Sequence, residues 1–63
     1  MEFKEVKLGE IFYNLDSGEF YQRLNEDIGV VFDLTTWEPY TQNGCTIERN
    51  FPPDHVVEEL YEQ

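Results

Sequence analysis

Turn formers interrupt this chain so often that it divides into short apolar runs. Gly9, "DSG" at 16–18, "EDIG" at 26–29, "EPYTQNG" at 38–44 and "PPD" at 52–54 supply the breaks. Short runs at regular spacing, with turn signals between them, point to a small all-β sandwich or barrel. There is no internal repeat and no low-complexity segment. The 63 residues are expected to form a single domain, 1–63. A chain of this size buries only about 60% of the surface its unfolded form exposes. Its one cysteine, Cys45, makes no internal disulfide, and no metal-ligand spacing is present. Stability therefore falls to an aromatic-rich core or to a partner. Five Phe, four Tyr and one Trp supply the core material, each worth about 150–250 Å² of buried surface when enclosed.

The strands follow from alternation. "LGEIFYNL" reads as the first, with Ile11 and Tyr13 on one face and Phe12 on the other; "EFKEV" leads into it. "LDSGE" supplies a tight turn, in which Asp16 accepts from the backbone two residues on and Gly18 takes positive φ. "EFYQRL" returns, with Phe20 and Leu24 sharing one face and Tyr21 and Arg23 the other. In "VVFDLTT", Val30, Phe32 and Leu34 are expected to point inward and Val31, Asp33 and Thr35 outward. "CTIERNF" is a fourth strand, with Cys45, Ile47 and Phe51 inward and Thr46 and Glu48 outward. Arg49 interrupts that inner face and is placed at a rim, stem packed and head in water. Asn43-Gly44 is a hairpin turn. Trp37 reads as a lid on the core and Tyr40, after Pro39, as an exposed anchor.

Charge is the strongest global signal. Fourteen acids against four bases give a formal net charge of −10. Such a field repels nucleic acid and anionic membrane and attracts basic surfaces. A nucleic-acid binder needs a basic face to neutralise phosphates, so direct binding of DNA or RNA is not expected. No apolar run approaches the roughly 20 residues that span a bilayer, and no charged-then-apolar leader opens the sequence. A reducing, cytoplasmic setting is expected, Cys45 included. The signatures of phosphate-binding loops, dinucleotide folds and zinc proteases are missing. "NLDSGE" lacks the spaced ligands of a calcium loop. Asp54 and His55 are adjacent, but Cys45 is read as a small buried apolar residue and no serine is placed beside them, so the pair reads as surface. The chain is expected to be non-enzymatic and to carry no cofactor.

The acids, in contrast, fall into two candidate partner-binding clusters. Asp33, Glu38 and Glu48, with Tyr40 beside them, form one; Asp54, Glu58, Glu59 and Glu62 form the other. Alternate residues of a strand lie about 6.6–6.8 Å apart on one face, a spacing comparable with neighbouring phosphates. The equal alternative is a solvated, solubilising surface.

The closing "NFPPDHVVEELYEQ" is ambiguous. Val56, Val57, Leu60 and Tyr61 fall at helical offsets, and proline and acids suit a helix start. A strand would alternate poorly but would split Glu58 from Glu59 across its faces.

The order of motifs, "FKEVKLGEIF", "GEFYQRLN", "VVFDLTT" and "FPPDHVVEEL", resembles a loose group of small phage-encoded proteins. The resemblance covers most of the chain, and its motifs are short and structural. It implies a five-stranded antiparallel SH3-like barrel whose closing segment pairs as the last strand, with Phe51 as its anchor. Residues 55–63 are then expected to form a strand ending in a short helical turn. It also implies, by analogy only, an inhibitor of a host defence complex, of anti-CRISPR or anti-restriction type, acting through DNA mimicry on the complex's basic surface. The competing expectation is a structural or assembly module of a phage particle or homo-oligomer.

Overall fold

The computed structural model describes residues 1–60 and is mainly β. A 3-10 turn, Phe3–Glu5, precedes eight strands: β1 Ile11–Asn14, β2 Glu19–Arg23, β3 Ile28–Asp33, β4 Glu38–Pro39, β5 Thr41–Gln42, β6 Cys45–Thr46, β7 Glu48–Asn50 and β8 Glu58–Glu59. Six of them build one antiparallel sheet in the order β4-β3-β2-β1-β8, with β7 also on β3. The sheet stays open. Among the described residues no ladder joins β8 to β4 or β7, so the expected closure into a barrel is not observed. Among the described residues β4 and β8 have two residues each, so each edge offers little backbone for a closing ladder.

The β1–β2 hairpin forms as expected, from Ile11 opposite Gln22 to Asn14 opposite Glu19. Its turn places Gly18 at φ 71°. The Asp16 side chain, however, turns to His55. The turn is instead closed by Gly18 N–H donating to the Asn14 carbonyl.

The fourth strand departs most from expectation. β4 runs beside the end of β3 (Asp33 opposite Glu38), and β7 runs beside its start (Val30 opposite Glu48). Val31 serves both: its carbonyl accepts from Tyr40 N–H and its N–H donates to the Ile47 carbonyl. One edge strand is therefore split, and β5–β6 is thrown out between its halves as an exposed hairpin. Its turn is Asn43-Gly44, with φ 55° and 80°, the double positive φ that this dipeptide favours. Cys45 lies on this hairpin and is exposed. It is not a core residue, and Ile47 is 39% exposed.

Cross-strand partners share a face. Phe12, Tyr21 and Val31 pair in one row and join Phe3, Val6, Phe51 and Val57 in the core. Val31 thus points inward, opposite to expectation. Val30 and Phe32 lie on the other side and are buried too, Phe32 under Trp37. Both faces of β3 are covered, so simple alternation fails there. Leu34, expected inward, is exposed.

Phe51 is the hub: its ring contacts Phe3, Phe12, Tyr21 and His55 at centroid distances of 5.1–5.4 Å. Space for these rings comes from Gly29. A Cβ there would lie 2.9 Å from Phe51 and 3.1 Å from Phe12. Gly29 is a strand residue kept small by packing, not part of the turn that "EDIG" suggests. Arg49 lays its guanidinium 5.2 Å from the centre of the Phe51 ring, as a rim residue should.

The two ends of the described chain pair with each other. Val57 N–H donates to the Met1 carbonyl and Phe3 N–H to that of His55. "EFK" does not continue into β1; it forms the 3-10 turn, with Glu5 Oε1 accepting from Glu2 N–H at 2.7 Å. Beyond it, β8 pairs with β1, Glu58 opposite Tyr13 and Glu59 opposite Phe12. The tail pairs through a bridge at Val56 and the strand Glu58–Glu59, because full burial of Val57 under the core rewards pairing more than a short helix would. The end of the expected 55–63 segment, where the helical turn would close it, includes 61–63, which lie outside the described residues. No described helix is long and apolar enough to cross a membrane.

Arg23 locks this arrangement. Its guanidinium donates to the carbonyls of Phe3 (3.2 Å), Lys4 (3.4 Å), Val6 (2.5 Å), Asn25 (2.9 Å) and Glu26 (3.0 Å). It also stacks 4.5 Å from the centre of the Phe3 ring. In a chain of fourteen acids, this arginine is spent on backbone.

Candidate partner-binding surface

In an up-and-down antiparallel sheet, alternate turns emerge at the same end. The β1–β2 turn and the β3–β4 turn therefore share one end, and the β2–β3 turn lies at the other. All four bases cluster near the second end. Arg23 and Arg49 both pair with Gly29, Lys4 shares a hollow with Arg23, and Lys7 lies beside Gly9, whose N–H donates to the Arg23 carbonyl. The first end carries Asp16, Glu19, Asp33, Glu38 and Glu58 with no base among its described residues. Acids stand among the bases as well: Lys4 Nζ lies 3.2 Å from Glu2 Oε1, and Glu26 and Asp27 line the hollow with Lys4 and Arg23. The base-free end is therefore the acidic pole, and the other end is largely neutralised.

The predicted acids distribute over it unevenly. Asp33 and Glu38 are direct cross-strand partners, an arrangement of like charges that costs stability. Asp33 does not point away from the core: it has the parity of Val31 and is half-buried. Its Oδ1 accepts from Thr35 N–H at 2.8 Å and fixes the turn. Glu48 pairs with Val30 and so projects from the opposite face. The expected row joining it to Asp33 does not exist, because β7 takes its own register after the inserted hairpin. Glu58 and Glu59 sit opposite Tyr13 and Phe12, on opposite faces of β8. Asp54 is exposed after the prolines. Glu62 lies outside the described residues. The second expected cluster is thus divided.

Tyr40 is 43% exposed, in keeping with an anchor. Trp37 covers Phe32 edge-on at a centroid distance of 5.2 Å yet remains 50% exposed. Its φ of 59° is an uncommon backbone state for a bulky residue. The contact with Phe32 holds it there, half lid and half surface.

Beside these aromatics lies a shallow groove that the sequence reading missed. The β2–β3 ladder ends at Tyr21 opposite Val31. Past that pair, Phe20, Phe32, Leu34 and Tyr40 line a groove with Glu19 and Asp33 at its margins. Glu19 Oε1 accepts from the Tyr21 hydroxyl at 3.3 Å. Both marginal carboxylates are therefore tethered by one oxygen. The sequence signal was present: "DSGE" and "DLTTWE" are turns of the same sheet end.

A second polar cluster lies behind the β1–β2 turn. His55 Nε2–H donates to Asn14 Oδ1 at 2.9 Å, with Asp16 Oδ2 3.4 Å from the same nitrogen. Asn14 Nδ2 in turn donates to Ser17 Oγ at 3.0 Å. Asn14 is fully buried, with both ends of its amide satisfied. His55 thus engages Asp16 rather than its neighbour Asp54, and Ser17 bonds to Asn14 rather than to His55. The arrangement ties the tail to the hairpin.

Compared with known families, curated proteins and solved structures, the chain matches none.

Proposed function

We propose that this protein is a non-enzymatic binding module whose acidic pole occupies the basic nucleic-acid-binding surface of a partner. One observation carries the reading: the bases are confined to one end, where they offset nearby acids, so the uncompensated part of the net charge of −10 is presented mainly at the other. A charge used only for solubility has no need of a base-free pole, or of acids placed directly opposite one another. Attraction between the pole and a basic groove speeds association and makes it salt-sensitive. The resemblance of the motif order to small phage-encoded proteins, by analogy only, supports a host defence complex as the partner and the host cytoplasm as the setting. Affinity purification from host extract, followed by DNA competition on the captured complex, tests this. Displacement of the protein by DNA is expected; a partner that engages DNA fully while the protein stays bound overturns the mimicry.

The open sheet favours a second reading. Edges at β8 and at β4–β7 that have no strand partner among the described residues invite pairing with another chain. A homo-oligomeric assembly module would show a concentration-dependent mass in light scattering and no host partner.

A further inference from the structure

We propose that the groove between the ends of β2 and β3 receives an arginine side chain of the partner. The inference rests on the reading of the acidic pole as a binding surface and names the group it grips. Phe20, Phe32 and Tyr40 give the groove aromatic walls, and Glu19 and Asp33 stand at its margins. No base lines it among the described residues. An apolar occupant would leave these carboxylates without a counter-charge, and an anionic one would be repelled by them. A cation with an apolar stem and a flat head satisfies both features. Arginine stacks on aromatic faces and presents paired N–H donors to carboxylates, whereas lysine offers a compact, strongly hydrated charge.

The carboxylates are prepared for this. Asp33 Oδ1 is held by the Thr35 N–H and Glu19 Oε1 by the Tyr21 hydroxyl. Asp33 Oδ2 and Glu19 Oε2 have no hydrogen-bond partner among the described residues. Each acid is thus oriented by one oxygen and offers the other, so little side-chain freedom is lost on binding. The protein already uses the same chemistry internally: Arg23 stacks on Phe3 and Arg49 on Phe51. Trp37, the chain's one tryptophan, packs against Phe32 and so reports on the groove.

The test uses the full chain, titrated with octa-arginine and with octa-lysine peptides and followed by Trp37 fluorescence and calorimetry. Octa-arginine is expected to bind about tenfold more tightly than octa-lysine, the range of a desolvated cation–π contact. Glu19→Gln and Tyr40→Ala are each expected to reduce that preference to about twofold or less. Both positions are exposed, and thermal unfolding confirms that the variants are folded. Equal binding of the two peptides, unchanged in both variants but weakened by salt, overturns the groove and leaves the acidic pole standing. Failure of both peptides to bind overturns the groove and the acidic pole together.

Discussion

Replacing Arg23 with lysine tests the account of how this small sheet is held together. Arginine reaches five carbonyls from both sides of the β2 end: three in the Phe3–Val6 turn and two in the 24–27 loop. Lysine keeps the charge but cannot span that fan. The bonds to Phe3 and Val6 are partly buried; those to Lys4, Asn25 and Glu26 are exposed. A charge-assisted hydrogen bond contributes about 1.5–3 kcal/mol where solvent is excluded. Solvent screening leaves the exposed ones a few tenths each. Stacking on Phe3 adds about 0.5–1 kcal/mol. If lysine recovers one inner bond, the net loss is about 2.5–5 kcal/mol. A domain this small has a total stability of roughly 3–9 kcal/mol. At about 4–8 °C per kcal/mol, the melting temperature should fall by at least about 10 °C. Thermal unfolding by circular dichroism, at low and at high salt, measures it. The loss should be nearly the same at both salts, because the partners are carbonyls rather than acids. A shift under about 3 °C, or one that vanishes at high salt, would refute the carbonyl cage as the staple.

Further changes probe other parts of the structure. Gly29→Ala places a methyl against Phe51 and Phe12, and the overpacking should cost about 1–3 kcal/mol in urea unfolding. Glu38→Lys replaces a like-charge pair with an opposite one at Asp33; it should raise stability by about 0.2–1 kcal/mol while weakening the partner complex. A loss on both counts would contradict the pairing. Asn14→Leu removes the acceptor for His55 and the donor to Ser17, and should cost about 1–3 kcal/mol through the two lost part-buried hydrogen bonds. Amide exchange should then quicken at Val57, the residue that the tail buries. Cys45, on the projecting hairpin, should react with a thiol reagent in the folded state at close to the rate of a free thiol; strong protection would contradict its exposure.

The candidate surface was legible only in part. Tyr40 as an exposed aromatic and the Asp33–Glu38 association follow from a turn with acids at both ends. The separation of Glu48 from Asp33 does not, because it depends on a two-fold parity that a six-residue inserted hairpin resets. Arg23 resembles any other charge in the sequence. Its carbonyl partners come from segments up to 20 residues away in the chain. Likewise, His55 finds Asn14 at a separation of 41 residues, while its neighbour Asp54 plays no part.

Local signals determined what local physics controls. Frequent turn formers ruled out long helices, and "DSG" and Asn43-Gly44 fixed two hairpins through backbone states that few residues adopt. Periodicity alone favoured a helix for the tail, where the structure has a strand at Glu58–Glu59. A nine-residue segment is too short to fold on its own preference, so burial of Val57 and pairing with β1 decided its form. Tertiary structure alone decided that the sheet stays open over the described residues, that both faces of β3 are covered, and that the bases gather at one end. Each depends on strand register and on contacts between distant segments, which residue order constrains only through the whole chain's packing.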